Sequence, residues 1–334
     1  MNDLSTNRVP PVQVLLVALA LLAACALPFF LSNYTTFQMT MVLVYAIALL
    51  GLNILTGYNG QISLGHGAFY AIGAYATAVL MDKFGWPYWA TLPVAAAVCL
   101  VAGFLFGLPA LRLEGPYLAL ATFALAVALP QLLKYKHLEA WTGGVQGIVI
   151  TKPESPVATL FGQTMNGDRL LYLFTLAVTV VMFVIGWNLL RGRIGRALIA
   201  IRDQPVAASS MGIDNAMYKS LAFGVSAMFT GVAGALGAIA VAFVAPDSFT
   251  VFLSLSLMVG MVVGGLASIW GALFGALVVQ FVPNVADHIS KAAPGAIYGA
   301  MLILFMYVMP TGIVGAIRLG WGKLRRWRAG RRQA

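Results

Sequence analysis

Apolar runs of about the length of a membrane span, nearly free of Asp, Glu, Lys and Arg, follow one another through this chain and leave few folds open to it. In hydrocarbon no water is present to satisfy backbone N–H and C=O groups, so such runs must be helices. The runs lie near residues 11–31, 39–56, 64–81, 89–111, 117–133, 170–190, 220–243, 251–266, 271–282 and 295–309. The expected fold is therefore all-α: a polytopic integral membrane protein of about ten spans, one transmembrane domain over residues 1–334. Hydrophobic residues make up 61% of the chain and charged ones 9%, against roughly 25% charged in soluble domains. A separate soluble domain of ordinary size has no room. The run before Leu22-Ala23-Ala24-Cys25 could pass for a lipoprotein signal, but it continues to Leu31, the length of a span. The two cysteines, Cys25 and Cys99, sit inside apolar runs, so no disulfide or metal framework is expected.

Charge orients the chain. The loop 191–219 carries Arg191, Arg193, Arg196, Arg202 and Lys219, and the tail 316–334 carries seven more basic residues from Arg318 onward. Basic residues accumulate in cytoplasmic loops, so both segments are read as cytoplasmic. An even number of spans between them then places both termini inside and the loop 134–169 in the periplasm. Fourteen of the twenty Lys and Arg fall inside on this reading, and the net charge of +10 lies wholly on that side. Such a surface suits anionic lipid headgroups, and no nucleic-acid partner is expected.

The spans lack the ionisable side chains that ion-coupled transporters and proton relays keep within the membrane. A phosphate-binding P-loop is also missing; Gly322-Lys323 is followed by Leu324. If ATP drives this protein, a partner binds it. Glycines spaced four apart (Gly103/Gly107, Gly260/Gly264, Gly271/Gly275, Gly295/Gly299) allow helix backbones to approach closely, within the subunit or against a partner.

Between the second and third runs lies LNILTGYNGQISLGHGAFYAIGAY (52–75), in which Gly57, Gly60, Gly65 and Gly67 interleave with Asn59, Gln61, Ser63 and His66. With roughly 1 kcal/mol lost per interior Gly relative to Ala, this stretch cannot stay helical throughout. Irregular backbone at membrane depth is tolerated where protein buries it or a wet cavity receives it. The expectation is a re-entrant or broken segment lining a transport path; a plain cytoplasmic turn is the alternative. A nucleophile–base reading of Ser63 and His66 lacks a third orienting group and an oxyanion motif.

In the basic loop, 194–202 reads as an amphipathic extension of the preceding span. Asp203 or Gln204 can then cap a two-turn helix with Pro205 in its first turn and Gly212 just past its end. A helix so short is marginal alone and needs a surface to dock on. Its small residues and Met211 lack the bulky anchors of a helix lying on lipid.

The stretch GRALIAIRDQPVAASSMGIDNAMYKSLAFGVSAMFTGVAGALGA resembles the coupling region of branched-chain amino-acid ABC importer permeases, in particular the longer subunit of the two-permease pair. LTGYNGQISLGHGAFYAIGAYATA, LRLEGPYLALATFALA, WTGGVQGI, GGLASIWGALFGAL and LILFMYVMPTGIVG resemble that family's segments in the same order. The chain departs from the family's usual pattern at Pro130, at Ser209-Ser210 and at Thr311. The resemblance implies a non-catalytic subunit of the bacterial inner membrane, without cofactor or metal of its own. It would pair with a homologous permease, two cytoplasmic ATPase subunits that bind the ATP, and a periplasmic substrate-binding protein. Arg202, Asp203, Gln204, Pro205, Val206, Ala207, Ser210, Met211 and Gly212 would then form the ATPase coupling site. Branched-chain or related small amino acids are the expected substrates; urea, short amides and aromatic acids are alternatives carried by similar permeases. A secondary transporter or facilitator remains the alternative mechanism.

Overall fold

The computed structural model describes residues 11–111, 113, 115–153, 159–160, 163–164, 166–289, 294–309 and 311–317; the tail beyond 317 lies outside the described residues. The fold is all-α. A helix stands at each apolar run: α1 (Pro11–Phe30), α2 (Asn33–Asn53), α3 (His66–Phe84), α4 (Tyr88–Ala110) and α5 (Pro116–Leu133) come first. The short α6 (Glu139–Thr142) follows, then α7 (Gly167–Arg191) and the two helices of the basic loop, α8 (Arg193–Asp203) and α9 (Pro205–Ser210). The chain continues with α10 (Asn215–Val241), α11 (Val251–Gly264), α12 (Ile269–Ile289) and α13 (Pro294–Val308).

The span count needs correction. Among the described residues seven helices are long and apolar enough to cross a membrane, not about ten. Three further helices stand at apolar runs. In α3 the sequence HGAFYAIGAYATAVLMDKF dilutes its apolar character with His, Thr, Asp and Lys, and α1 and α13 supply shorter apolar helices over Ala18–Phe30 and Gly295–Phe305 among the described residues. All three nonetheless pack on the others: α1 against α7, α3 against α10 and α4, and α13 against α12 and α11.

α10 is the axis of the molecule. It is buried along nearly its whole length, with α4, α3 and α2 laid against it. Ala, Gly and Ser dominate it, and in a solvent as apolar as Leu side chains, close backbone packing replaces the hydrophobic effect as the cohesive force. Phe69 meets Phe106 and Phe223 edge to face, and those two rings meet at a tilt, where α3, α4 and α10 converge. On the face of the bundle expected outside, Ile148–Val149 pairs antiparallel with Phe243–Val244 and ties the loop after α6 to the end of α10.

Three of the four expected glycine pairs pack within the subunit. Gly103 and Gly107 of α4 lie on α10, and Gly260 and Gly264 of α11 face Gly271 and Gly275 of α12 so closely that backbone fills the place of any Cβ. At Gly295 and Gly299 a Cβ would meet no atom within 4 Å among the described residues. The contrast is testable. Gly264→Val should cost about 1–3 kcal/mol or more through overpacking and lower the melting temperature in detergent by several degrees. Gly299→Val should leave it nearly unchanged.

Candidate functional site

α2 does not end cleanly. Its last turn widens into a π-turn over Ile54–Tyr58, where the Ile54 N–H is shared between the carbonyls of Leu50 and Gly51. Irregular turns of this kind concentrate at functional positions. The chain then runs without helical structure from Asn59 to Gly65 before α3 begins at His66. The polar, glycine-rich stretch is thus a broken helix wedged into the bundle, as expected; it is not a surface turn. Its contacts come from within α5 (Thr122) and α10 (Ser226) and from the first turn of α11 (Ser254).

The break is held by a continuous set of hydrogen bonds. His66, 1% exposed, sits between two hydroxyls, with Nδ1 3.0 Å from Ser63 Oγ and Nε2 2.6 Å from Ser226 Oγ. Ser226 Oγ donates to the Gly51 carbonyl at 2.6 Å, and the Gly65 N–H donates to Ser63 Oγ at 3.3 Å. These two ends fix the directions between them: Ser63 donates to Nδ1, and Nε2–H donates to Ser226. A neutral imidazole with its proton on Nε2 therefore satisfies every group in the row. No carboxylate belongs to it, and both hydroxyls are engaged, so the row is a latch between α2, α3 and α10.

Further bonds pin both ends. Asn53 accepts from the Ala267 N–H and donates to the Ser268 carbonyl, each at 2.8 Å, which fastens the end of α2 to the α11–α12 turn. Asn59 Nδ2 donates to Gln61 Oε1 at 2.9 Å, and Thr56 Oγ1 donates to the Gln61 carbonyl at 2.9 Å. Thr122 Oγ1 accepts from the Leu64 N–H, and Ser254 Oγ accepts from the Gly67 N–H, both at 2.9 Å. Gly60 holds φ +76°, a left-handed conformation open to glycine.

The segment alternates. Gln61, Ser63 and Gly65 are buried, while Gly60 and Ile62 are exposed and Leu64 partly so. Of the expected path residues, Asn59, Gln61, Ser63 and His66 turn into the protein, along with Gly57, Gly65 and Gly67. Gly60 alone of that set is exposed, next to Ile62. Sequence reading missed the partners Asn53, Thr122, Ser226, Ser254 and Ser268. The available signal was the isolated hydroxyl or amide in an apolar helix, a group that must find a bond.

The basic loop forms the expected pair of helices. α8 buries Ala197, Leu198 and Ile201 and leaves Arg193 and Arg196 exposed. Gln204 occupies the N-cap position of α9, but no side chain caps it; Asp203 instead accepts from Arg202 Nε at 2.8 Å. The α9 helix is fastened behind by Ala208, which is buried, and by Asn215 Nδ2 donating to the Pro205 carbonyl at 2.8 Å. Gly212 closes it at φ +82°. Val206 and Met211 project from it, 76% and 84% exposed, with Ala207 and Ser210 beside them. Arg202 joins the two regions: its Nη1 donates to the Gly57 carbonyl at 2.9 Å and its stem packs under Gly60.

Residues 34–307 match the family described as branched-chain amino acid transport system / permease component. The chain is 34% identical over 330 residues to the high-affinity branched-chain amino acid transport system permease protein LivM of Escherichia coli (strain K12), covering 92% of this chain and 76% of that protein. It is 24% identical over 293 residues to LivH of the same strain, covering 81% and 91%. A similar relation, 24% over 269 residues, holds to a probable LivH of Methanocaldococcus jannaschii, covering 78% and 84%. No solved structure matches. With the match spanning most of its length, and with its membrane helices, this chain belongs to the family of branched-chain amino acid transport system permease components.

Proposed function

We propose that this chain is a permease subunit of an ATP-driven importer for branched-chain or related small amino acids, set in the bacterial inner membrane. It forms half of the path with a homologous permease, receives substrate from a periplasmic binding protein, and docks α9 on a cytoplasmic ATPase. It makes no covalent chemistry of its own and takes its energy from that partner.

The observation that carries this reading is the Arg202 bond. Arg202 lies in the last turn of α8, three residues before the exposed helix α9 begins, and its guanidinium holds the carbonyl of Gly57 in the π-turn. A push on α9 therefore reaches the broken helix through one side chain, with no intervening loop to absorb it. On the other side of the break, the exposed residues Gly60 and Ile62 would face the path. The buried polar side chains of Asn59, Gln61 and Ser63 anchor the segment on the protein side. Irregular backbone in a membrane protein belongs where a cavity or a partner meets it, and the outward alternation of Gly60 and Ile62 fits this.

Three outcomes test the proposal in proteoliposomes containing both permeases, the ATPases and the binding protein. Arg202→Gln should leave assembly and ATP hydrolysis intact and lower leucine import per ATP at least tenfold; unchanged stoichiometry would sink the link. The double substitution Val206→Asp, Met211→Asp should abolish co-purification with the ATPases, whereas retained binding would mean that α9 is not the dock. Ser63→Ala should leave assembly intact and lower thermal stability by about 1–3 kcal/mol, since the His66 ring loses one buried partner.

A further inference from the structure

α7 turns one side to the bundle, where Met182, Gly186 and Leu190 are buried one turn apart. On its other side Val181, Val184 and Ile185 are exposed, and Asn188 and Arg191 continue that exposed row at helical spacing. A helix long enough to cross the membrane thus carries an apolar stripe that ends in a base.

At that end the side chains are fixed in place. The Arg191 guanidinium lies over the Trp187 ring, 4.2 Å from its centroid, and Arg196 Nη1 donates to the Arg191 carbonyl at 3.3 Å. Gly195 lies so close to Leu190 that a Cβ would collide with the Leu190 backbone, so α8 bends tightly against the end of α7. Arg193 and Arg196, one turn apart on α8, are exposed, while Ala197, Leu198 and Ile201 hold the other side of that helix on the protein. No side chain caps the start of α8, whose electropositive pole adds to the three guanidinium charges.

Tryptophan in a membrane helix collects at the headgroup level, and the basic loop is the one expected on the cytoplasmic side, where lipid headgroups are anionic. An apolar stripe, an interfacial ring and three cations in succession match an amphiphile with an anionic head. A water-soluble protein makes no use of the stripe, and a free anion makes none of the stripe or the ring. We propose that the α7–α8 elbow binds an anionic phospholipid. Arg191, Arg193 and Arg196 hold the phosphodiester, for which the planar, multiply donating guanidinium is suited, and an acyl chain lies along Val184 and Val181. Binding here does not depend on the importer reading. It bears on that reading, because the helix whose start the lipid holds carries Arg202, bonded to Gly57, in its last turn.

The test uses the complete importer in phosphatidylcholine vesicles that contain phosphatidylglycerol with a photoactivatable group in its acyl chain. In the wild type, cross-links should map to residues 181–185 and exceed those from equally labelled phosphatidylcholine by about tenfold. Arg191→Gln, Arg193→Gln and Arg196→Gln together should bring the two lipids to parity, and the same three positions changed to Lys (Arg191→Lys, Arg193→Lys, Arg196→Lys) should retain part of the preference. Excess glycerol phosphate should leave the cross-links unchanged. Wild-type cross-links that fall elsewhere, or that arise equally from both lipids, would overturn the proposal whether or not the variants assemble; a homologous permease covering the stripe would give that result. Competition by glycerol phosphate would assign the bases to a soluble anion, and a Gln variant that keeps its lipid preference but loses the ATPases would assign them to that partner. Either outcome overturns the lipid site, and each of these failures leaves the importer reading standing.

Discussion

The need to bond every backbone and hydroxyl group away from water governs this structure more than any other constraint. An unbroken helix meets that need by itself, and most of the chain is built of such helices. Where α2 gives way to α3, seven residues abandon the helix inside the bundle, and each freed group becomes a demand on a neighbour. Hydroxyls set singly into α5, α10 and α11 meet part of that demand, and the neutral imidazole of His66 joins Ser63 of the break to Ser226 of α10. Substituting any one of these partners leaves a buried donor or acceptor without its bond, at a cost of about 1–3 kcal/mol. The break is therefore costly to maintain, which is a reason to regard it as functional.

Close helix packing supplies the frame for this latch. Because lipid offers no hydrophobic drive between helices, α10 is made of small residues and lets α2, α3 and α4 approach it. The α11–α12 turn is drawn in by facing glycines and then clamped by Asn53. The crossing of α3 on α10 brings Ser226 to His66, and that of α11 on α3 brings Ser254 to Gly67. Stability and the geometry of the break share one set of contacts, so the break is stiff on the protein side and open on the side of Gly60 and Ile62.

Much of this was legible beforehand. Runs of apolar residues announced a helical membrane protein, interleaved glycines and polar residues from Gly57 to Gly67 announced a break, and Pro205 with Gly212 bracketed the short helix α9. Other features were hidden for physical reasons. Hydropathy alone places a span at each run, but α3 carries His, Thr, Asp and Lys, and among the described residues seven helices are long and apolar enough to cross a membrane. The partners of the break lie 58 to 215 residues away in sequence, and a single Ser or Thr in an apolar run does not say what it will meet. Capping was misassigned at Asp203, because Arg202 competes for its carboxylate.

By itself the sequence determined the fold class, the location of the break and the two-helix form of the basic loop, because each follows from local properties: apolar length, glycine content, proline and charge. Only the tertiary structure decided that the polar side chains of the break point inward and that Arg202 reaches Gly57. Those outcomes depend on which helix faces which. That choice is made by close packing summed over the whole bundle, and no single segment contains it.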